Sequence, residues 1–420
     1  MLVSRKKIIL LFVCLCATIP VFSQYFDYNQ YSSLLQNDPK RSYQIGGNTN
    51  GFIASDALNQ NFALSLVTSG NLSNQTIASS RLQENNYLSG DFNSCFFANI
   101  MDNNTGFRIA ASTRSFIDAG FSKDAYDLLF YGNNMFEGQT ADLSNLQLHI
   151  ISYWKLQLGL IKRVELPGGC FTGFLGLSLI DGMNNTNINF PLLTVTTGMG
   201  GEYIDINSKF TYKGSDSTQS KISDLNGIGA AADIFLAYEG KAPGITITFT
   251  ASDIGFIHWR KHYIEANMDT SYQFDGLNIN ILNPGQVQSP GLSQDTLKKI
   301  LYAHSHQTTA TVLLPGIISF NISKRISKLF EVGLGSDYII QTHAKIPMTY
   351  VNLKYHILKV LTLTGNVGYG YYNNANVGLG VNMNLFKYLY LRVGSNNLFG
   401  FLYANNSFSQ QYYAGAYMKF

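Results

Sequence analysis

Apolar residues recur at every second position through long stretches of this chain, a period that strands satisfy and helices do not. Val377, Leu379, Val381, Met383 and Leu385 alternate with Gly378, Gly380, Asn382 and Asn384. Upstream, Leu361, Leu363, Val367 and Tyr369 alternate with Thr362, Thr364, Asn366, Gly368 and Gly370. Downstream, Leu389, Leu391 and Val393 alternate with Tyr390 and Arg392. Earlier, Ile245, Ile247 and Phe249 oppose Thr246, Thr248 and Thr250. Leu146, Leu148, Ile150, Trp154, Leu156 and Leu158 oppose Gln147, His149, Tyr153, Lys155 and Gln157. Phe107 and Ile109 oppose Arg108, Ala110, Ser112 and Arg114.

The polar face decides between two all-β classes. A soluble sandwich turns that face to solvent and fills it with Lys and Glu. Here it carries Thr, Asn, Gly, Ser and Gln, as the interior of a membrane barrel does. Composition agrees: 13% of residues are charged, about half the ordinary globular share of roughly 25%. The chain holds 38 Gly, 26 Tyr and 28 Phe but 2 Trp. Past the N-terminal stretch no run of eighteen apolar residues occurs, which excludes a helical membrane protein. A soluble chain of roughly 400 residues would divide into two or three domains, yet no Pro-rich or Ser-rich linker or composition shift marks a boundary. The expected fold is all-β: a closed antiparallel transmembrane β-barrel of about 14 strands.

Both termini fit that expectation. Residues 413–420 read Tyr-Ala-Gly-Ala-Tyr-Met-Lys-Phe, and Tyr413, Gly415, Met418 and Phe420 have the form of a membrane-insertion strand that closes the sheet. Closure is required because an unpaired strand edge in lipid has no water to bond. At the other end, Arg5, Lys6 and Lys7 precede an apolar run from Ile8 to Ile19, and Val21-Phe22-Ser23 suits cleavage. Residues 1–23 therefore read as a signal peptide, 24–59 as an N-terminal plug or periplasmic segment, and 60–420 as the barrel. Neither Cys14 nor Cys16 follows the small residue a lipid-attachment site needs. The expected location is the outer membrane of a Gram-negative cell, with its lipids and the barrel-assembly machinery as partners.

Three stretches break the rhythm: 24–59, an insertion from Phe121 to Gly138, and Gly291 to His306 with a short helix expected over 294–301. Cys95 and Cys170 are either a disulfide pair or two buried thiols.

Candidate residues for a lumenal ligand are Asp253, His258, Arg260, His262, Arg108 and Arg114, charged or titratable groups on strands otherwise poor in charge. Phe256, Ile257 and Trp259 suit an interfacial aromatic belt. His258 and His262 share a strand face with Arg260 between them, and that cation disfavours a metal. His304 and His306 lack further ligands. No Gly-x-Ser-x-Gly nucleophile signature occurs, and Gly198-Met199-Gly200-Gly201 lacks the Lys of a phosphate loop. No enzyme, metal or cofactor is expected. A net charge of +3 with dispersed basic residues gives no basis for nucleic acid.

Several motifs resemble an uncharacterised outer-membrane barrel family, a domain of unknown function common in the Bacteroidetes. They are Phe121-Ser122-Lys123-Asp124, then Gly132-Asn133-Asn134 with Phe136-Glu137-Gly138, and Asp253-Ile254-Gly255-Phe256-Ile257-His258-Trp259 with Phe274-Asp275-Gly276. The family motif residues are thus Gly132, Asn133, Asp253, Gly255, Phe256, Trp259, Phe274 and Gly276. That family is similar in architecture to FadL-type transporters of hydrophobic compounds and to PorV-type shuttles of a secretion system. FadL-type plugs carry Asn-Pro-Ala, and the nearest counterpart here is Asn37-Asp38-Pro39. The resemblance implies either a passive channel for small hydrophobic molecules or a non-conducting scaffold or shuttle that binds a secretion-system protein.

Overall fold

The computed structural model describes residues 31–36, 42–68, 72–215, 226–241, 244–274, 303–340, 343, 347–372, 374–386 and 388–420. The expected signal peptide, residues 24–30, Asn37-Asp38-Pro39, Gly276 and the expected helix at 294–301 lie outside the described residues. In chain order the strands are Ser42–Ser55 (β1), Asn85–Asp102 (β2), Thr105–Ser122 (β3), Thr140–Asp142 (β4), Leu146–Leu166 (β5), Gly169–Thr197 (β6), Ile204–Ser215 (β7), Gly227–Gly240 (β8), Ile245–Trp259 (β9) and Tyr263–Phe274 (β10). There follow Ser305–Gln307 (β11), Ala310–Leu313 (β12), Ile317–Arg325 (β13), Phe330–Ile339 (β14), Met348–Leu358 (β15), Leu361–Gly370 (β16), Asn374–Leu385 (β17), Leu389–Ser395 (β18) and Ser409–Lys419 (β19).

Fourteen of these strands close a cylinder in the order β1-β2-β3-β5-β6-β8-β9-β13, then β14 to β19 in sequence and back to β1. Every neighbouring pair is antiparallel. The closing seam joins β1 to β19 from Gln44↔Lys419 to Ala54↔Ser409. It extends one step further, because Phe420 N–H donates to Tyr43 O at 2.9 Å and Tyr43 N–H to Phe420 O at 3.2 Å. The barrel wall therefore starts at Ser42 rather than at residue 60. The reading of 24–59 as a single plug or periplasmic segment ends too late. Its period was hidden because Gly46, Gly47, Asn48, Thr49 and Asn50 put small or polar side chains on both faces of β1.

Alternation sends Phe107, Ile109, Leu156, Leu158, Leu177, Leu179, Val367 and Leu379 outward, each more than half exposed. These form an apolar exterior of the kind lipid solvates. Tight turns at 103–104, 167–168, 326–329 and 359–360 gather at one end of the barrel together with Lys419, and the long connections gather at the other. Between Ser122 and Thr140 lies the helix Lys123–Tyr131, capped by Ser122 Oγ, which accepts the Ala125 N–H at 3.1 Å. Beyond the long-loop rim, β6 leaves β8 at Gly182 and pairs instead with β7 from Thr186 to Thr197. β7 in turn pairs along its whole length with β10. The base of this sheet joins the barrel, since Tyr263 is buried in one cluster with Trp259 and Phe52.

One place interrupts the wall. β9 pairs with β12 through residues 256–259 and with β13 through 245–252, in a single register. Between them, Pro315 has no N–H to donate. On the other side of β9 the pairing with β8 shifts between Ala232 and Ile234, a bulge. Asp253 sits at that point with φ +56°, rare for a residue with a Cβ. The bulge reverses which residues face inward. Thr250 and Ser252 lie opposite the buried Phe235 and Ile317, and beyond the bulge Asp253, Ile257 and Trp259 point inward.

Candidate functional site

The barrel interior is filled in layers, and charge occupies the middle. Arg114 on β3 donates through Nε to Asp91 Oδ1 on β2 at 2.9 Å and through Nη1 to Asp253 Oδ2 on β9 at 2.7 Å. The other oxygen of Asp253 accepts from Lys155 Nζ on β5 at 2.5 Å, and Lys155 also reaches Asp233 Oδ2 on β8 at 3.0 Å. Asp233 Oδ1 accepts the backbone N–H of Asp253 at 2.5 Å, and its Oδ2 accepts from Gln157 Nε2. The chain Asp91–Arg114–Asp253–Lys155–Asp233 thus crosses the lumen, with every member less than one-tenth exposed.

Such a chain survives burial because each charge has an opposite charge and hydrogen bonds at close range. Removing one member of a buried pair typically costs about 3–5 kcal/mol. The bulge makes the geometry possible. Without it, the alternation that turns Thr250 and Ser252 inward would carry Asp253 to the outer face.

Toward the short-turn end, the 3-10 turn Ser32–Gln36 and the preceding Tyr31 lie inside the cylinder. The Tyr31 ring packs 4.8 Å from Phe174 and 5.9 Å from Phe235, and Leu34 is fully buried with them. Arg108 stands over the rings of Phe97 and Tyr31, at 4.3 and 5.2 Å, and donates to Asn99 Oδ1 at 3.0 Å. Its charge balances the surplus carboxylate of the chain above, giving three cations (Arg108, Arg114, Lys155) to three anions (Asp91, Asp233, Asp253).

Toward the long-loop end, Phe52, Phe116, Ile151, Tyr153, Ile257, Trp259 and Tyr371 form an apolar layer with Met348 and Tyr350. Above it, the Tyr372 hydroxyl meets Ser89 and Asp118, and Asp118 also pairs with His343, whose ring stacks on Tyr87 at 4.8 Å.

Among the sequence candidates, the structure brings Asp253, Arg114 and Arg108 into the lumen. It places three elsewhere. His258 is on the outer face, its Nδ1 2.9 Å from Thr311 Oγ1. Arg260 is exposed in the turn after β9, and His262 occupies the same turn with φ +52°. Continuing the inward parity of Thr246, Thr248 and Thr250 would carry all three inward; the bulge at Asp253 reverses that parity, and the turn at 260–262 ends the strand. Trp259 is fully buried in the lumen rather than in an interfacial belt, whereas Phe256 is 44% exposed outside.

The other motif residues serve the backbone. Gly255 abuts the neighbouring strand so closely that a Cβ would lie 2.1 Å from Ala230 O. Gly132 ends the helix Lys123–Tyr131 at φ +80°, Asn133 opens the next 3-10 turn, and Phe274 ends β10. In the closing strand, Tyr413 lies opposite Gly394 and is 3% exposed inside the barrel, while Phe420 is 50% exposed outside. Cys95 and Cys170 are separate buried thiols.

Asp91, Lys155, Asp233, Gln157 and Tyr31 were not among the candidates. A signal existed for two of them: Lys155 lies between the outward Trp154 and Leu156, and Asp233 ends the run Ala230-Ala231-Ala232 before Ile234. A lone charge at an inward position of an apolar strand needs a partner across the lumen.

Residues 40–391 match the model of a family described as a family of unknown function (DUF5723). No curated protein matches the chain. Among solved structures, the chain is similar to the Pseudomonas putida toluene transporter TodX, at 9% identity and TM-score 0.42 over 94% of this chain and 93% of that one. A Pseudomonas aeruginosa FadL homologue shares 9% identity at TM-score 0.42, over 90% and 89%. The translocator domain of autotransporter NalP from Neisseria meningitidis shares 8% at TM-score 0.32, over 92% and 91%.

Proposed function

The chain belongs to the DUF5723 family of unknown function, and from that starting point we propose that it is an outer-membrane β-barrel that does not conduct at rest. On this reading it is exported by a cleaved leader, inserted by the barrel-assembly machinery, and serves as a scaffold or shuttle for a secretion-system or surface protein. The observation that carries the reading is the lumen itself. The apolar layer and the ion chain are made of side chains fixed on the wall, so a continuous pore would require breaking buried pairs. The sheet of β6, β7 and β10 beyond the rim gives such a barrel a surface on which to hold a partner. Its cross-strand pairs Lys209–Asp269 and Lys213–Glu265, at 3.2 Å each, brace it.

A second reading, a gated passage for small hydrophobic molecules, draws support from the lower seal. Residues 31–36 are held by side-chain packing and by bonds such as Gln44 Nε2 to Ser33 O at 3.2 Å rather than by strand pairing. Such a segment can leave as a unit.

Conductance in planar bilayers separates the two. The scaffold reading expects no stable current from the purified chain, with or without residues 24–36, and a protein cross-linked to a photoreactive residue at Tyr272 in native membranes. Stable current that appears on removing 24–36 would replace it with the gated passage.

A further inference from the structure

A cavity of about 380 Å³ opens at the short-turn end, between Ser33 of the inner segment and strands β1, β16, β17, β18 and β19. Its polar lining comes from Asn48, Asn382, Asn384, Tyr390, Arg392 and Tyr417, with Lys359 at the rim. Among the described residues its lining holds two cations, Arg392 and Lys359, and no carboxylate.

Two features mark it as built for a ligand rather than as a packing gap. First, Asn48 is 8% exposed, and neither its amide oxygen nor its nitrogen has a hydrogen-bond partner among the described residues; Asn384 Oδ1 is in the same condition. A buried carboxamide left unpaired is costly, and a ligand offering both donors and acceptors removes that cost. Second, the cation is positioned. Arg392 Nε donates to Asn382 Oδ1 at 2.7 Å, and Asn382 Nδ2 donates to Thr364 Oγ1 at 3.2 Å. The rings of Tyr390 and Tyr417 stack beside it at 4.6 Å and 6°.

We propose that this mouth is a binding site for a small hydroxylated organic anion, a sugar acid being the simplest form. The carboxylate meets Arg392 and Lys359, and the hydroxyls exchange hydrogen bonds with Asn48 and Asn384, which can each donate and accept. The volume lies in the range of ordinary small-molecule sites and suits a single ring. None of the residues of the ion chain lines the cavity, so binding there does not depend on whether anything crosses the barrel.

The test uses the full chain purified in detergent and titrated calorimetrically with galacturonate, against galactose as the uncharged ring of the same shape. Saturable galacturonate binding is expected, with galactose about tenfold weaker or more, since a charge-assisted hydrogen bond is lost. Arg392→Gln should weaken galacturonate about tenfold or more, and Asn48→Leu should weaken both ligands several-fold. Lys359→Gln, at an exposed turn that cannot unfold the barrel, should weaken galacturonate alone by about twofold to fivefold. Absence of saturable binding overturns the proposal, as does equal affinity for the two ligands. Wild-type affinity in Lys359→Gln together with either buried variant, shown folded by its near-ultraviolet circular dichroism, overturns it as well.

Discussion

Arg114 and Asp253 meet at 2.7 Å although 139 residues separate them in the chain. Three wall strands, β5, β6 and β8, stand between their own strands on the shorter way around the barrel. The contact ties non-adjacent parts of the wall through the interior, and Lys155 continues it to Asp233.

Asp253→Ala leaves Arg114 with Asp91 and Lys155 with Asp233, but strips one buried pair from each cation. The expected loss is about 3–5 kcal/mol, read by urea unfolding in detergent micelles or lipid vesicles. An unchanged midpoint would mean that the chain contributes no stability.

Trp259→Ala should cost about 3–5 kcal/mol, because its fully buried ring fills the apolar layer and the wall cannot collapse into the space. Had the indole been an interfacial anchor, the same change would cost well under half as much. Unfolding measurements distinguish the two directly.

Gly255→Ala places a methyl 2.1 Å from Ala230 O and 2.6 Å from Ala231 Cα. Both atoms belong to the backbone of β8, which cannot yield, so a loss of about 2–3 kcal/mol is expected. Gly132→Ala meets nothing within 4 Å and carries only the strain of φ +80° with ψ 178°, about 1–3 kcal/mol. An unchanged unfolding midpoint for Gly255→Ala would contradict the close approach of β8 and β9.

Leu379→Arg puts a charge on the apolar exterior and should cost about 2–4 kcal/mol in lipid vesicles if the residue lies near the midplane. Phe420→Asp removes the apolar end of the closing strand while leaving its backbone bonds to Tyr43, so assembled barrel should fall in yield more than in final stability. Heat-modifiable electrophoretic migration reports both. Normal amounts of assembled Phe420→Asp would remove that residue from the insertion step.

Cys95 and Cys170 stay apart as buried thiols. The oxidised chain should migrate identically with and without reductant, and a maleimide should label either thiol only after denaturant is added.

The period of two was enough to read the wall. Val377 to Leu385 and Phe107 to Arg114 show their inner and outer faces in the sequence, because lipid accepts one kind of side chain and a lumen another. The closing strand was legible for the same reason: Met418 and Phe420 sit outward on alternate positions at the chain's end. β1 escaped notice because glycine and asparagine erase the contrast between faces.

The site divides differently. A charge at an inward position can be recognised locally, as with Arg108, Arg114 and Asp253, but the pairing cannot: Asp91 comes from the other strand of Arg114's own hairpin, whereas Asp253 and Asp233 reach Arg114 and Lys155 from strands that are not their neighbours in the sheet. His258, Arg260 and His262 were misplaced by one extra residue at Asp253, a bulge that reverses every side chain after it. Local alternation determined which face of each strand is apolar. Which charges meet, and whether the lumen is filled, was decided by how fourteen strands curve round and where one of them bends, because those distances exist only once the sheet has closed.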